Sequence, residues 1–264
     1  MLPKTGKNQL MTSPVLASRC PAFAPSIRQG KLDWSVTTPW GSARVNGELT
    51  QTHRNILDAI FASAIDTKDG ADGAIQILFD PFVIADMTGS SRDYKWLDSI
   101  FSDMKKADVH LHDKVLGLKM WGGIVSEWRE SPRRVPLPGG ALKGDRPLMA
   151  VTISAVWMRM YSSTLTVNYS KLIPAIATLP SGVLQSLTRF CLTHRELNMK
   201  LDEVLHHIGA INESTSRSQG FDIRKRAREA DLSEFGITVE DDIVYYKQHD
   251  KVRFRNPETN QIDQ

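Results

Sequence analysis

Residues 218–239 read SQGFDIRKRAREADLSEFGITV. Ile223, Ala227, Ala230 and Leu232 approximate one buried line at helical spacing, and Arg224, Lys225, Arg226 and Arg228 crowd into five positions beside it. The spacing predicts a helix running from about Ser218 to Phe235-Gly236. Arg217, Arg224, Lys225 and Arg228 fall on broadly one side of it, with Ile223 and Ala227 turned toward a core. Phe221 belongs to the same spacing series and suits either the outward face or a core contact fixing the helix start. A helix that packs on one side and presents arginines on the other can enter a major groove about 12 Å wide. The planar fork of arginine bonds two guanine acceptors at once. Thr215, Ser216 and Ser218 are short donors suited to phosphate beside the free amides of a helix start. The alternative is a solvent-facing basic helix that offsets Glu229, Asp231 and Glu234.

Working outward, Leu165, Val167 and Tyr169 alternate as a strand, and 171–176 is a short helix ended near Leu179-Pro180. Val183, Leu184, Leu187, Phe190 and Cys191 bury one side of a longer helix, 197–201 is a brief strand, and Asp202 caps a short helix over 204–208. Residues 237–246 and 251–255 are expected as a terminal hairpin with Gln248-His249-Asp250 at its tip. The first half repeats this order. Ile56, Leu57, Ile60, Phe61 and Ala64 make one helical face, which the acidic, glycine-rich 66–73 stretch ends. Ile75, Ile77 and Phe79 alternate as a strand, and 82–87 is a short helix stopped by Thr88-Gly89. Ser90 or Ser91 caps a helix with Trp96, Leu97, Ile100, Phe101 and Met104 as its stripe, and 109–112 with 117–128 form the hairpin after it. A proline- and glycine-rich loop covers 131–144. Long helix, strand, short helix, turn, long helix and hairpin is the order of a winged helix-turn-helix. The expected fold is α+β: a poorly structured N-terminal arm over 1–45, winged-helix domains over 46–162 and 163–256, and a tail over 257–264.

The 264 residues carry 33 basic and 30 acidic groups, a net charge of +3. The excess is local, since residues 114–171 hold nine basic groups against three acidic ones. Counterion release needs a positive footprint rather than a positive average, so clusters on a nearly neutral body fit a polyanion partner. In the first domain Arg92 and Lys95 stand at the start of the reading helix, offset by Asp93, Asp98 and Asp103. Arg133, Arg134 and Lys143 in the loop suit backbone or minor-groove contact, and Lys251 and Arg253 on the terminal hairpin suit phosphate.

Other chemistry has little to stand on. The chain has no Walker glycine-lysine motif, dinucleotide fingerprint or serine elbow. The expectation is a non-enzyme with no cofactor and no metal. His110-Leu111-His112 resembles the metal-binding strand of rolling-circle nicking enzymes, and a metal-dependent nickase using that pair is an alternative. Yet Asp113 and Lys114 follow at once, as at a hairpin bend. Cys191, His194, His206 and His207 read better as a core cysteine with interfacial histidines than as zinc ligands. The two cysteines supply no disulfide framework, and neither a membrane-spanning run nor a signal peptide is visible, so a cytoplasmic location is expected.

The segments LTQTHRNILDAIF (49–61), SSRDYKWLDSIFSDMKKADVHLHD (90–113), LMAVTISAVWMRMY (148–161), LTVNYSKLIPAIATLPSGVLQSLTRFCL (165–192) and the stretch at 218–239 resemble the tandem winged-helix replication initiators of plasmids, of the iteron-binding, broad-host-range type. Such initiators bind direct repeats of duplex DNA at the origin, open an adjacent AT-rich region and recruit the host replicative helicase. Many dimerise to repress their own gene, and the first domain serves as homodimer interface or second reader. The resemblance places Arg224, Lys225, Arg226 and Arg228 on the main reading helix and Arg92 and Lys95 on the secondary one. A dedicated transcriptional repressor of the same fold is the nearer alternative.

Overall fold

The computed structural model describes residues 4–5, 9–27, 32–137 and 144–256. Regular structure begins well before Asn46. β1 (Lys4–Thr5) pairs with β2 (Gln9–Leu10), and β3 (Ser13–Pro14) leads into α1 (Leu16–Arg19). A tight hairpin follows, β4 (Leu32–Thr38) with β5 (Gly41–Gly47). Over its described residues this corrects the expected arm of 1–45. Leu10, Met11, Leu16, Cys20, Ala22 and Phe23 are buried, and Val36, Ala43 and Val45 point inward from the hairpin while Ser35, Thr37 and Arg44 point out. Pro14 ends β3, Pro21 lies in a turn, and Pro39 turns the chain between β4 and β5.

α2 (Gln51–Ala62) starts at a reciprocal cap, in which the Thr50 amide donates to His53 Nδ1 at 3.2 Å. It is buried nearly all round rather than on one face. β6 (Asp66–Asp69), β7 (Ile75–Phe79), α3 (Pro81–Thr88) and α4 (Tyr94–Lys106) come next. Asp93, not Ser90 or Ser91, caps α4, accepting from the Lys95 amide at 2.9 Å. β8 (Asp108–Asp113) and β9 (Lys119–Gly122) then join the N-terminal hairpin in a sheet of order β4-β5-β8-β9. Gly41 permits the close approach of β5 to β8, because a Cβ there would stand 1.9 Å from the His112 carbonyl oxygen.

The hairpin belonging to the α2–α4 unit is β10 (Val125–Pro136) with β11 (Asp145–Ile153), in a sheet of order β10-β11-β7-β6. The expected hairpin of 109–112 with 117–128 is therefore divided between two sheets. Residues 108–113 find their backbone partners in β5, which lies in the segment read as an arm. Much of the proline-glycine loop is the outer part of this hairpin, drawn together where the Leu137 amide donates to the Gly144 carbonyl at 2.9 Å. Lys143 lies outside the described residues.

α5 (Ala155–Ser163), β12 (Thr166–Asn168) and α6 (Ile173–Thr178) lead to the second unit. That unit comprises α7 (Gly182–Leu192), β13 (Glu196–Lys200), α8 (Leu201–His207), α9 (Arg217–Glu229), β14 (Ile237–Glu240) and β15 (Ile243–Lys247). Its sheet order is β13-β15-β14, and β16 (Arg253–Arg255) leaves it to pair with β12, which also pairs with β3. The terminal hairpin accordingly turns at Asp241-Asp242, both at positive φ, and 251–255 takes no part in it. The two units share one scheme of helix, strand, helix, helix and hairpin, with the strand before the second helix, β7 or β13, paired to the second strand of the hairpin; the first unit adds β6 beside β7 and inserts β8-β9 before its hairpin.

The lead helices α2 and α7 meet through a buried polar cluster. Asp58 receives Arg54 Nε and Arg189 Nε, each at 2.9 Å, and the Tyr169 hydroxyl at 2.8 Å. Arg189 also donates to Gln51 Oε1 at 3.0 Å and to Asn55 Oδ1 at 2.6 Å. One continuous apolar core surrounds the cluster and runs from the N-terminal segment through both units. Among the described residues no helix is long and apolar enough to cross a membrane.

Candidate nucleic-acid interface

α9 is built to stand on the second unit with one face outward. Ser216 accepts from the Gln219 amide at 3.2 Å, and Gln219 Oε1 accepts from the Ser216 amide at the same distance, which fixes the first turn. Gly220 and Ala227 are buried and Ile223 is half-buried, so the packing stripe is short and made of small residues. The helix stops at Glu229, earlier than the spacing predicts, because Ala230 is extended and a 3-10 turn over 233–235 buries Phe235 separately.

The basic residues of α9 divide into held and exposed groups. Arg224 lies back along the helix over Gly220, where a Cβ would stand 2.9 Å from its Nη1. Its guanidinium grips Asp202 on α8 through Nε at 2.6 Å and Nη2 at 3.2 Å. Asp202 is thus no helix cap: the N-cap position of α8 is Lys200. The hydrogen bond from Arg224 holds the Asp202 carboxyl below its ordinary range, and the same bond raises Arg224. Arg228 pairs with Asp242 at the hairpin turn at 2.5 Å, and Lys225 stands 3.9 Å from Glu229. Arg217, Ser218, Phe221, Lys225 and Arg226 are exposed. Two arginines expected to face outward therefore brace α9 against α8 and the β14–β15 turn, while Arg217 and Lys225 extend outward.

In the first unit Arg92 pairs with Asp86 at 2.5 Å and lies over the Phe82 ring, 5.1 Å from its centroid. Lys95 is exposed at the start of α4, whose outward Asp98 accepts from Trp128 Nε1 at 2.8 Å. Arg133 and Arg134 lie on the exposed outer part of β10: Arg133 reaches Asp66 at 3.1 Å, and Arg134 donates to the Asp145 carbonyl at 3.0 Å. Lys251 and Arg253 are corrected in place. Lys251 lies in a turn, and Arg253 lies on β16 beside β12, donating to the Val252 carbonyl at 3.0 Å, so neither belongs to the terminal hairpin.

The sequence reading gave Trp121 a packing role alone, whereas it is 65% exposed on β9, and that reading did not find the alignment of Arg44, His110 and Trp121 across one sheet face. The alternation in 32–47 was the available signal. His110 Nε2 contacts Asp108 at 2.8 Å, and among the described residues no group of three His, Cys, Asp or Glu side chains is placed to hold a metal ion. Burial pushes the Cys20 thiol up to about 11 and Cys191 higher still, which leaves both poorly reactive. His194 is driven down to about 4 by burial and by nearby Arg19, and it packs between Trp40 and Phe190.

No protein-family model matches this chain, and no curated protein sequence is similar to it. Two solved structures are. The crystal structure of a selenomethionine derivative of domains 2 and 3 of RctB matches at a TM-score of 0.51 with 13% identity, covering 96% of each chain. A crystal structure of RctB residues 155–483, also domains 2 and 3, matches at 0.42 with 12% identity over 88% of this chain and 94% of that one. At such identity the first likeness shows the fold: this chain has the α+β fold of domains 2 and 3 of RctB.

Proposed function

We propose that the chain is a sequence-specific double-stranded DNA-binding protein built from two winged helix-turn-helix units, which initiates plasmid replication at repeated origin sites and represses its own gene. One observation carries this reading. The same strand order recurs behind a helix pair in both units, and in the second the following helix, α9, presents Arg217, Ser218 and Lys225 outward. The fold likeness to domains 2 and 3 of RctB supports the architecture on which this reading rests. Arg217 and Lys225 meet DNA from the outward face of α9, and Arg224 and Arg228 exchange their carboxylates for phosphate at its edges. Arg92, Lys95, Arg133 and Arg134 supply backbone contacts from the first unit. No bond is made or broken: binding energy at tandem sites deforms the duplex, at a cost that varies with its sequence. The host helicase and a second copy through the first unit are the protein partners of this reading.

Selection from a random duplex library tests it. Enrichment of a short site that recurs as direct repeats beside an AT-rich stretch near the gene supports the initiator; a lone palindrome at the promoter supports a dedicated repressor; no enrichment refutes both. Supercoiled plasmid incubated with protein and magnesium should stay intact. Relaxation lost on His110→Ala and His112→Ala would install the nickase instead.

A further inference from the structure

We infer that Phe221 is a base-reading residue that covers the 5-methyl group of a thymine in the major groove. The inference rests on the duplex-binding reading and assigns one contact within it. Phe221 is 60% exposed although it lies one position from buried Gly220 in the second turn of α9. It is not the core contact the spacing allowed. Arg217, Phe221, Arg224 and Arg228 follow one another at four, three and four positions, so a single stripe of the helix carries one phenyl ring among three guanidiniums.

The setting selects the partner. Among the described residues no other large apolar side chain of α8 or α9 is exposed, so Phe221 is an isolated apolar point between Arg217 and two ion-paired arginines, with exposed Asp222 next to it in the chain. Protein interfaces place such anchors in a cluster of apolar and aromatic neighbours. A duplex presents single methyl groups, one per thymine, within a field of phosphates, and apolar side chains are the contacts that recognise them. The held arginines sharpen the argument. Arg224 and Arg228 are drawn aside to Asp202 and Asp242, which leaves the ring uncovered toward solvent.

The test uses the full chain and its selected duplex site, with each thymine replaced in turn by deoxyuridine, which removes the methyl group alone. Burying one such carbon is worth about a fourfold change in affinity. Wild-type protein should lose about fourfold at one or two thymines, Phe221→Ala should bind the original and those substituted sites equally, and Phe221→Leu should keep part of the discrimination. Thermal melting of both variants should match wild type, since the ring is exposed. The slope of affinity against salt should also be unchanged, because a neutral contact releases no counterion. Sequence-selective binding with no dependence on any thymine methyl overturns the assignment and leaves the duplex reading standing. An undiminished methyl effect in Phe221→Ala gives the contact to another residue and overturns it equally. Absence of sequence-selective duplex binding removes both.

Discussion

Asp202 decides what Arg224 does when no DNA is present. Both groups are partly exposed, so their pair adds little to stability, and its consequence is to hold a guanidinium away from the groove-facing side. Replacing Asp202 with Asn removes an anion near the proposed interface and frees Arg224. Duplex affinity should rise because Arg224 no longer has to leave a carboxylate to reach phosphate, while the slope of log affinity against log salt stays close to wild type, since the phosphate contact is made in both proteins. Titrations at several salt concentrations check this, and an unchanged affinity would place Arg224 away from DNA. A second residue-scale expectation concerns acid. Burial and nearby Arg19 hold His194 neutral down to about pH 4, whereas an ordinary histidine titrates near 6.5. Between these values the unfolded chain takes up a proton that the folded chain refuses. Stability therefore falls as pH drops through that window, by at most about 1.4 kcal/mol per pH unit, and the effect levels off below it. In urea melts from pH 7 to 4, His194→Gln should show a shallower decline than wild type, and parallel curves would assign the acid sensitivity to other groups.

The elements are held in register by α2 and α7, whose contact is polar. Asp58 is shared by two guanidiniums, and Arg54, Asp58 and Arg189 are each almost wholly buried. Removing the shared anion leaves two buried cations unpaired, so Asp58→Ala should cost about 3–5 kcal/mol. Replacing Arg54, Asp58 and Arg189 together by Met, Leu and Met removes the charges as a set and should recover much of that loss; urea midpoints distinguish the two outcomes. A triple variant as unstable as Asp58→Ala would mean that packing, not charge, holds the helices. This cluster also marks the limit of what the residues disclosed. Ile56, Leu57, Ile60 and Phe61 mark α2, but the spacing gives no sign that Arg54 and Asp58 are buried, because a polar residue carries no local mark that its partner stands on α7. Strand alternation revealed β7, α9 was found from its basic stripe, and the repeat of element order was legible in both halves. The hairpins were misplaced wherever the partner strand was distant, as with β8 on β5 and β16 on β12, since pairing is a tertiary choice that alternation does not encode. At the interface, which guanidinium stands free was hidden for the same reason: Asp202 and Asp242 are 22 and 14 positions from the arginines they hold.

At the scale of the molecule, the N-terminal segment is a structural member of both units. Phe23 meets the Trp157 ring edge-on at 5.9 Å, and Trp40 of the β4–β5 turn meets Phe190 of α7 at 5.6 Å. Arg19 donates to the Thr193 carbonyl at 2.6 Å, and the Tyr161 hydroxyl donates to the Thr12 carbonyl at 2.9 Å. A chain beginning at Asn46, where the expected first domain starts, deletes all of these contacts. It also strips β8 of its partner β5 and uncovers Val109 and Leu111, which are buried at 3% and 4% exposure. With one core running through the N-terminal segment and both units, the intact protein should unfold in urea as one transition, with helix content and tryptophan fluorescence coincident. The chain begun at Asn46 should lose that cooperative transition rather than shift its midpoint slightly. Two separated transitions in the intact protein, or a truncated chain that melts like the whole, would show instead that each unit folds on its own and that the N-terminal segment only rests against them.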